Sequence, residues 1–360
     1  MTETTDREQQ VLDRIDRARR RKPKVREERI TMSHGSGGKA TQTLIEAVFL
    51  EAFRNPLLEP LEDAAQLTVN GSRLALTTDS YVVHPLFFPG GDIGDLAVNG
   101  TVNDLAVSGA TPLYLSAGFI LEEGFPVADL IRVVASMKAA AEQAGVHIVT
   151  GDTKVVEKGK ADGCYITTAG VGVIERDVTL GVATAQPGDA ILVSGPIGDH
   201  GVTIMLARGE LDIEADLESD TAPLNGLVSA LLDAVPRTRA MRDATRGGVA
   251  TILNEIAKDA DVGVLVSEDD IPVRAPVRGA AELLGIDPMY VACEGRLVAV
   301  VPGDEAAAAL AAMRAHRDGE QASVIGHVVS DQPGIVRLKT AFGGTRIVDL
   351  LVGDPLPRIC

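Results

Sequence analysis

Apolar and polar residues alternate along the chain with two different periods, from about Ile30 onward. Runs with a period of two predict strands in the first half of the chain. These runs are "RLALTTDS", "LYLSAGFIL", "HIVTGDT" and "CYITTAGVGVI". Apolar residues that recur every three to four positions predict helices between the strands. The helices are expected near 41–53, through "GDLAVNGTVNDLAVSGA", and over Val127–Ala144.

A second half with the same mixture starts at "QPGDAILVSGPIGDHG", where Pro187 and Gly188 interrupt the periodic pattern. Its predicted helices lie near 202–207, near 247–260 and over Ala275–Leu284, and its predicted strands are "VGVLVSE", "RLVAVVP" and "SVIGHVV". The chain contains no short-period repeat, which argues against a solenoid. The pattern therefore predicts an α/β fold of the mixed α+β kind, with two comparable domains.

The domain boundaries follow from where this pattern starts and breaks. We expect the first domain at residues 30–184 and the second at 185–340. Residues 1–29 hold ten Lys or Arg and seven Asp or Glu with almost no apolar periodicity. A segment of that kind cannot bury enough apolar surface to fold, so it is predicted to be a disordered charged extension.

The end of the chain is predicted to be a mobile tail that covers residues 341–360. Pro355 and Pro357 prevent this tail from folding into a helix, and its last residue is Cys360. Eight extended residues from Gly353 could carry the thiol about 26 Å. The sequence therefore predicts a thiol that can travel between two places.

Composition limits the function classes that remain. A chain of 360 residues that is 45% hydrophobic is long enough for two buried cores. A net charge of -17 argues against general nucleic-acid binding. No apolar run is long enough to suggest a membrane span, and the charged N-terminus does not resemble a signal peptide. The three cysteines are odd in number and widely spaced, which argues against a disulfide framework, so we predict a cytoplasmic protein.

A glycine-rich loop, "SHGSGGK", precedes the first predicted helix. Ser36, Gly37 and Gly38 could let consecutive backbone N–H groups point at phosphate oxygens. The loop lacks the spacing of a Walker A loop or a Rossmann fingerprint, so a flexible entry loop explains it about as well.

Three aspartates follow or flank strands of the first half. Asp79 ends "TTDS", Asp104 lies in "VNDLAVSGA", and Asp152 follows the strand that leads into "GDTK". A single aspartate at such a position is usually a turn or cap residue. Three in one half favour a magnesium site instead, because Mg²⁺ takes a few carboxylates together with substrate phosphate oxygens.

Seven segments in a fixed order give the chain a family resemblance. They are "SHGSGG", "TTDS", "VNDLAVSGA", "GDTKVV", "RDATRGGVATILNEIA", "CEGRLV" and "PRIC". From about Ile30 to Cys360 the sequence resembles the HypE carbamoyl dehydratases of hydrogenase maturation, within the PurM-like ATP-binding superfamily. The terminal cysteine separates this family from aminoimidazole ribonucleotide synthetase, selenophosphate synthetase and thiamine-monophosphate kinase. The resemblance implies a two-domain PurM-like fold and a homodimer that binds ATP and Mg²⁺ near its interface.

The resemblance also implies a reaction that supplies cyanide for the [NiFe] hydrogenase active site. The carbamoyltransferase HypF would load Cys360 with a carbamoyl group, and ATP would drive its dehydration to a thiocyanate. HypC and HypD, the iron-site scaffold proteins, would act downstream. Glu294 and Lys154 match the catalytic acidic residue and lysine of the family. Lys154 would orient either the carbamoyl oxygen or the transferred phosphoryl group, and Glu294 has the alternative role of a turn carboxylate beside Gly295.

Several further polar residues have weaker functional predictions. Arg246, in "DATRGG", would either contact the nucleotide or join the domains. His34 would contact phosphate or fix its own loop, whereas His84 and His200 are predicted to be structural. Cys293 adjoins Glu294, close to the place where Cys360 must dock.

Two alternative functions stay open at this point. The first is another PurM-like enzyme that forms an acyl or imidate phosphate on a small diffusible substrate. The second is a nucleotide-binding scaffold that presents its tail to partners. The terminal cysteine counts against the first, and the pairing of Glu294 with Lys154 counts against the second.

Overall fold

The structure, a computed structural model, describes residues 24, 25, 27–209, 215–351 and 358–360. Most of the predicted extension at 1–29 and the middle of the predicted tail lie outside the described residues. The described residues form two mixed α/β domains that share one junction. The predicted fold class is therefore confirmed.

The N-terminal domain is built on a five-stranded sheet in the order β1-β2-β7-β5-β6. Its strands are β1 (Ala65–Val69), β2 (Ser72–Tyr81), β5 (Thr111–Glu122), β6 (His147–Val156) and β7 (Cys164–Val173). A separate short hairpin contains β3 (Phe87–Phe88) and β4 (Gly91–Asp92). Neighbouring strands of the large sheet are antiparallel except β5 and β6, which are parallel. Strand β6 therefore forms one outer edge of the sheet.

Three helical segments accompany this sheet. Helix α1 (Lys39–Leu44) continues through a π-helical stretch (Ile45–Leu50) and a last short turn (Glu51–Phe53). Helix α2 (Ile93–Val107) is nearly all buried, and helix α3 (Val127–Ala144) follows Pro126 and ends at Gly145. Gly145 has the left-handed conformation that favours glycine at a helix end.

The C-terminal domain is built on a seven-stranded sheet in the order β14-β13-β10-β12-β8-β11-β9. Its strands are β8 (Ala190–Val193), β9 (Ala240–Asp243), β10 (Gly263–Ser267), β11 (Leu297–Val301), β12 (Ser323–Val329), β13 (Val336–Lys339) and β14 (Thr345–Val348). Its helices are α4 (Asp199–Ala207), α5 (Asn225–Ala234), α6 (Gly248–Asp259), α7 (Ala275–Leu284) and α8 (Ala306–Arg314). β14 pairs with β13, so this part of the predicted tail belongs to the sheet. Backbone hydrogen bonds to β13 hold the strand there. The two prolines, on which the prediction of a mobile tail rested, carry no information on this pairing.

Helix α2 connects the two domains. Its apolar residues near the N-terminus pack in the core of the first domain, and Ala106 and Val107 pack with Leu192 and Leu224 of the second. The side chain of Asp92 accepts hydrogen bonds from the first backbone N–H groups of α2, which satisfies donors that a buried helix end would otherwise leave unpaired. The polar residues of α2 are thereby held at the domain junction.

Among the described residues, no helix combines the length and the apolar composition needed to cross a membrane.

Candidate active site

The last three residues of the chain lie at the domain junction. Val82 N donates to the main-chain oxygen of Cys360 at 3.0 Å, and His84 N donates to that of Arg358 at 3.3 Å. The pairing runs antiparallel, directly after β2. Ile359 packs into the hydrophobic core of the first domain, and Cys360 is buried. The structure therefore places the terminal thiol inside the protein.

The environment of Cys360 keeps its thiol protonated. Arg246 Nε donates to Cys360 Sγ at 2.9 Å. Burial raises the pKa of the thiol to about 12, although the Arg246 guanidinium opposes this shift. The thiolate is the reactive form of cysteine, so in this position the side chain is a poor nucleophile. A buried, protonated thiol is therefore better suited to holding a group that is already attached to it than to attacking a new one.

Glu294 lies close to this thiol, and its carboxyl group lacks compensation. The side chain is only 3% exposed, and Oε1 has no hydrogen-bond partner among the described residues. Glu294 N donates to Asp220, and its carbonyl accepts from Asn103 on α2, so both domains fix its position. Burial raises the pKa of Glu294 well above its usual range, Asp243 and Asp79 raise it further, and Arg246 opposes the shift. Glu294 also raises the pKa of the Cys360 thiol, which places the two groups in one electrostatic environment.

A group of three aspartates adjoins Glu294. Asp63 precedes β1, Asp104 lies on α2 and Asp243 ends β9, and one oxygen from each lies within 4.8 Å of the others. Burial raises the pKa of all three carboxyls, and for Asp104 and Asp243 the neighbouring aspartates raise it well above the usual range. Close carboxylates that repel one another fit a hard divalent cation, for which oxygen ligands are preferred. We call this group the acidic triad.

Arg242 compensates only part of this negative charge. Its guanidinium donates to Asp63 and lies 3.1 Å from Glu62 and 3.8 Å from Glu255. Among the described residues, Asp104 has no arginine partner of this kind and accepts instead from the Thr77 hydroxyl at 2.7 Å. Arg242 therefore compensates Asp63 directly, whereas Asp104 lacks such a contact.

The predicted magnesium ligands are divided between two places. Asp104 is a member of the triad, and Asp79 lies near enough to raise the pKa of Asp104 and of Glu294. Asp152 lies apart from both. In the sheet register, Asp79 on β2 is aligned with Gly151 on β6, the residue directly before Asp152. Three strand-to-strand spacings separate the two positions, which corresponds to about 14 Å. Within one chain, Asp152 therefore lies away from Asp79 and Asp104, because its strand is the outer edge of the sheet, and its part in the metal site stays a prediction.

Lys154 shares this edge. Its ammonium group pairs with Asp152 at 2.5 Å, and both side chains are more than two-thirds exposed. Hydrogen bonding to Lys154 lowers the pKa of Asp152. The predicted pairing of Lys154 with Glu294 is therefore not made within one chain.

The glycine loop and Arg246 do lie together. A Cβ at Gly37 would come 2.7 Å from the carbonyl oxygen of Arg246, and one at Gly38 would come 2.5 Å from that of Leu351. Arg246 Nη1 donates to the carbonyl of Gly35 at 3.2 Å. Glycine is required here because the backbone of the second domain approaches too closely for a side chain. Ser36 lies in the same loop and donates to the carbonyl of Ser33 at 3.0 Å.

A cavity of about 1280 Å³ opens beside this loop. It is larger than the 300–1,000 Å³ of most small-molecule pockets. Gly37, Arg246 and Lys258 contribute to its wall, as do Glu62 and Arg242, which are sequence neighbours of two triad residues. The cavity therefore offers room for a nucleotide, with cationic side chains in its wall, and one of them, Arg242, binds Asp63 of the acidic triad.

Sequence reasoning missed Asp63, Asp243 and Arg242. Asp63 sits in a loop directly before an alternating strand, which is the same signal that identified Asp79 after one. Asp243 and Arg242 lie within the quoted segment "RDATRGG", where Arg246 alone was assigned. His200, which was predicted to be structural, contacts the tail directly.

Family comparisons agree with this architecture. Residues 61–174 match the N-terminal domain of AIR synthase related proteins, and residues 186–339 match the C-terminal domain. The fold and the junction site thus define a two-domain protein of the AIR synthase related class. A carbamoyl dehydratase HypE from Azotobacter vinelandii is 56% identical over 331 residues, covering 92% of this chain and 97% of the relative. The chain belongs to the HypE carbamoyl dehydratase family, as the sequence resemblance predicted.

Two solved structures extend the comparison. A chain of a HypE–HypF complex is 49% identical with a TM-score of 0.82, covering 86% of this chain and 99% of that one. A HypE structure in complex with ATP is 50% identical with a TM-score of 0.78, covering 92% of this chain and all of the other.

Proposed function

We propose that this protein is an ATP-dependent carbamoyl dehydratase that acts on its own C-terminal cysteine. The reaction converts an S-carbamoyl group on Cys360 to a thiocyanate and supplies cyanide for [NiFe] hydrogenase assembly. The observation that carries the proposal is the burial of Cys360 beside Arg246 and the uncompensated Glu294. A thiol that is buried and protonated suits a carrier of a group, and family membership supports the same reaction.

The chemistry balances when ATP removes the carbamoyl oxygen. Transfer of the γ-phosphoryl group to that oxygen, with loss of one N–H proton, gives an imidate phosphate and ADP. Loss of the second N–H proton and departure of phosphate then leave the nitrile on sulphur. In this step we assign Glu294 as the base, because its Oε1 has no hydrogen-bond partner among the described residues that would hold it away from a substrate proton. Arg246 holds the sulphur at 2.9 Å and stabilises negative charge that develops beside it.

The acidic triad fits Mg²⁺ on the chemistry of its donors. Asp63, Asp104 and Asp243 would hold the ion, with Asp79 beside them. When bound, the ion would neutralise these carboxyls and bind nucleotide phosphate oxygens. Gly37 lines the adjoining cavity, and we assign its loop neighbours Ser36 and Gly38 with it to the nucleotide phosphates. The ATP complex of a HypE relative supports ATP as the nucleotide.

Lys154 and Asp152 enter this proposal through a second copy of the chain. Strand β6 is an edge strand, and Ile148, Val149 and Val155 on it are exposed apolar residues. An exposed apolar edge strand favours pairing with another chain. We propose a homodimer in which this edge brings Lys154 toward the partner's junction site, where it would orient the carbamoyl oxygen or the transferred phosphoryl group.

The partners follow from the same reaction. HypF, found in complex with a HypE relative, would load the cysteine, and HypC and HypD would receive the cyanide. The three cysteines are free, and we propose a cytoplasmic location, where thiols stay reduced.

Intact mass spectrometry tests this function. After incubation with ATP and a carbamoyltransferase system, the chain should first gain one carbamoyl group and then lose one water. Cys360→Ala should fold and bind ATP but gain neither group, because a terminal residue adds little to the core. Cys164→Ser is the matched thiol control and should react like the wild type. A water loss in Cys360→Ala, or none in the wild type, would contradict the proposal.

A further inference from the structure

His200 contacts the docked end of the chain. It lies in the first turn of α4 and is fully buried. Its Nε2 lies 2.9 Å from the carbonyl oxygen of Ile359, the residue directly before Cys360. Its Nδ1 lies 2.8 Å from the Ser219 hydroxyl, and its ring packs edge-on against Phe88 at 5.6 Å. The imidazole therefore connects the second domain to the tail.

The hydrogen-bond partners determine the tautomer. A carbonyl oxygen only accepts, so Nε2 of His200 must carry the hydrogen that it donates to Ile359. Ser219 Oγ already accepts from Thr221 N at 3.2 Å, so its hydroxyl hydrogen is free to donate to Nδ1. Burial lowers the pKa of His200, which favours the neutral ring that this arrangement needs. Ser219 thus orients the ring, and the ring holds the tail.

The backbone carbonyls of the tail accept hydrogen bonds from both domains. Val82 N and His84 N bind the main chain of Cys360 and Arg358 from one side. From the opposite domain, Arg208 donates to the carbonyl of Arg358, and His200 binds the remaining carbonyl, that of Ile359. The His200 contact is the one made to the residue directly before Cys360, so together with the contacts from the first domain it fixes the direction in which the Cys360 side chain leaves the backbone.

We infer that His200 is a positioning residue that holds the tail in the junction site through its Nε2–H, with Ser219 fixing its tautomer. The inference rests on the proposed function for its purpose, which is to keep the sulphur of Cys360 beside Arg246 and Glu294 during dehydration. It does not depend on that function for its test, since tail docking can be measured without turnover.

Two isosteric variants separate the hydrogen bond from packing. A glutamine amide nitrogen reaches about the place of Nε2, and an asparagine amide nitrogen reaches about that of Nδ1. His200→Gln should keep the contact with Ile359, and His200→Asn should lose it. The readout is the rate at which iodoacetamide alkylates Cys360 in the native protein, followed on the C-terminal peptide. We expect His200→Asn to react about fivefold faster than the wild type and His200→Gln to stay within about twofold.

Controls make each outcome decisive. Cys164 and Cys293 are buried in the same molecule, so their alkylation reports loss of the fold. His316 is a half-buried histidine that follows α8 and pairs with Asp318. His316→Gln should leave Cys360 alkylation unchanged. If both His200 variants expose the buried thiols, Ser219→Ala replaces them, because it removes only the hydroxyl that orients the ring. Its alkylation rate should rise about threefold.

Equal alkylation rates for His200→Asn and His200→Gln in folded protein would overturn the inference, as would an unchanged rate in Ser219→Ala. A failure of the proposed function would look different. In that case the variants would still separate by alkylation rate, while wild-type protein with ATP and a carbamoyl donor would form no thiocyanate.

Discussion

The domain junction and the β6 edge hold charged groups in opposite environments. At the junction, Glu294 and the acidic triad are largely withdrawn from water, and burial raises the pKa of each carboxyl. At the edge, Asp152 and Lys154 pair in contact with solvent, and the pKa of Asp152 is lowered. The pKa of an aspartate is thus raised at one place and lowered at another within the same domain.

This difference indicates which half of the site one chain completes. Water compensates charge at the edge, so the ion pair of Asp152 with Lys154 is stable there without a partner. The carboxyls at the junction are buried, and they need protons, an arginine or a bound cation. The junction is therefore ready for a ligand, whereas the edge contributes only when a second chain covers it.

The largest expected effect comes from removing the buried base at the junction. Glu294→Gln should lower the dehydration rate about 100-fold or more, while loading of Cys360 continues. The wild-type rate should also rise with pH, because a base with a raised pKa becomes ionised only as pH increases through that value. Quenched-flow mass spectrometry of carbamoylated protein would measure both.

The matched control is Glu142→Gln, which changes an exposed carboxyl on α3. It should leave the rate unchanged. A normal dehydration rate in Glu294→Gln would show that Glu294 at the junction does not act as the base.

A smaller effect distinguishes a site made by one chain from a site made by two. Lys154→Ala and Glu294→Gln homodimers should both be inactive. Mixed dimers would contain one intact site, made from Glu294 of one chain and Lys154 of the other. Co-refolding equal amounts of the two variants should therefore restore about a quarter of the wild-type sites.

Dehydration assays on the co-refolded sample measure this recovery, with the two variants mixed after separate folding as the control. Recovery in neither sample, with dimers present in light scattering, would show that Lys154 acts within its own chain. An active Lys154→Ala homodimer would show that Lys154 does not act at all.

The smallest effect concerns stability. The triad carboxyls have raised pKa values in the folded state, so their contribution favours folding at low pH and is lost as pH rises through those values. Mg²⁺ should offset this loss, raising Tm by about 2 °C at about pH 8 and by less at about pH 5. Scanning calorimetry measures the difference between the two shifts.

Asp243→Asn should abolish this pH-dependent magnesium effect, and Asp152→Asn on the exposed edge should keep it. An equal magnesium shift at both pH values would place the cation away from the triad.

The sequence predicted local elements well where the pattern itself was local. The bounds of α3 and α7 agree with their predicted ranges, since an apolar stripe runs between a proline at the start and a glycine at the end. Strand β14 was missed because its short run gains strand character only from pairing with β13.

The site was predicted in part, for a related reason. Sequence order identified Asp79, Glu294 and Cys360, which the fold brings together. It gave no spatial information on Asp152, which lies within β6 at the outer edge of the sheet, whereas Asp79 lies near the end of β2. The triad depends on three elements that meet only through the packing of α2 between the domains, so the position of Asp63 beside a strand did not by itself assign it to a metal site.

The contact of the chain with the glycine loop also sets a geometric limit on any loading enzyme. Leu351 is tied to α1, since its carbonyl accepts from Lys39 N at 2.9 Å. Cys360 lies nine residue steps beyond this anchor, and a fully extended chain of that length spans about 31 Å. Unless the anchor is released, the thiol can visit only the space inside a sphere of that radius centred on Leu351. A transferase with a deeply recessed active site must therefore bind with the opening of that site close to Leu351. The length of the tail thus limits which partners can reach the sulphur.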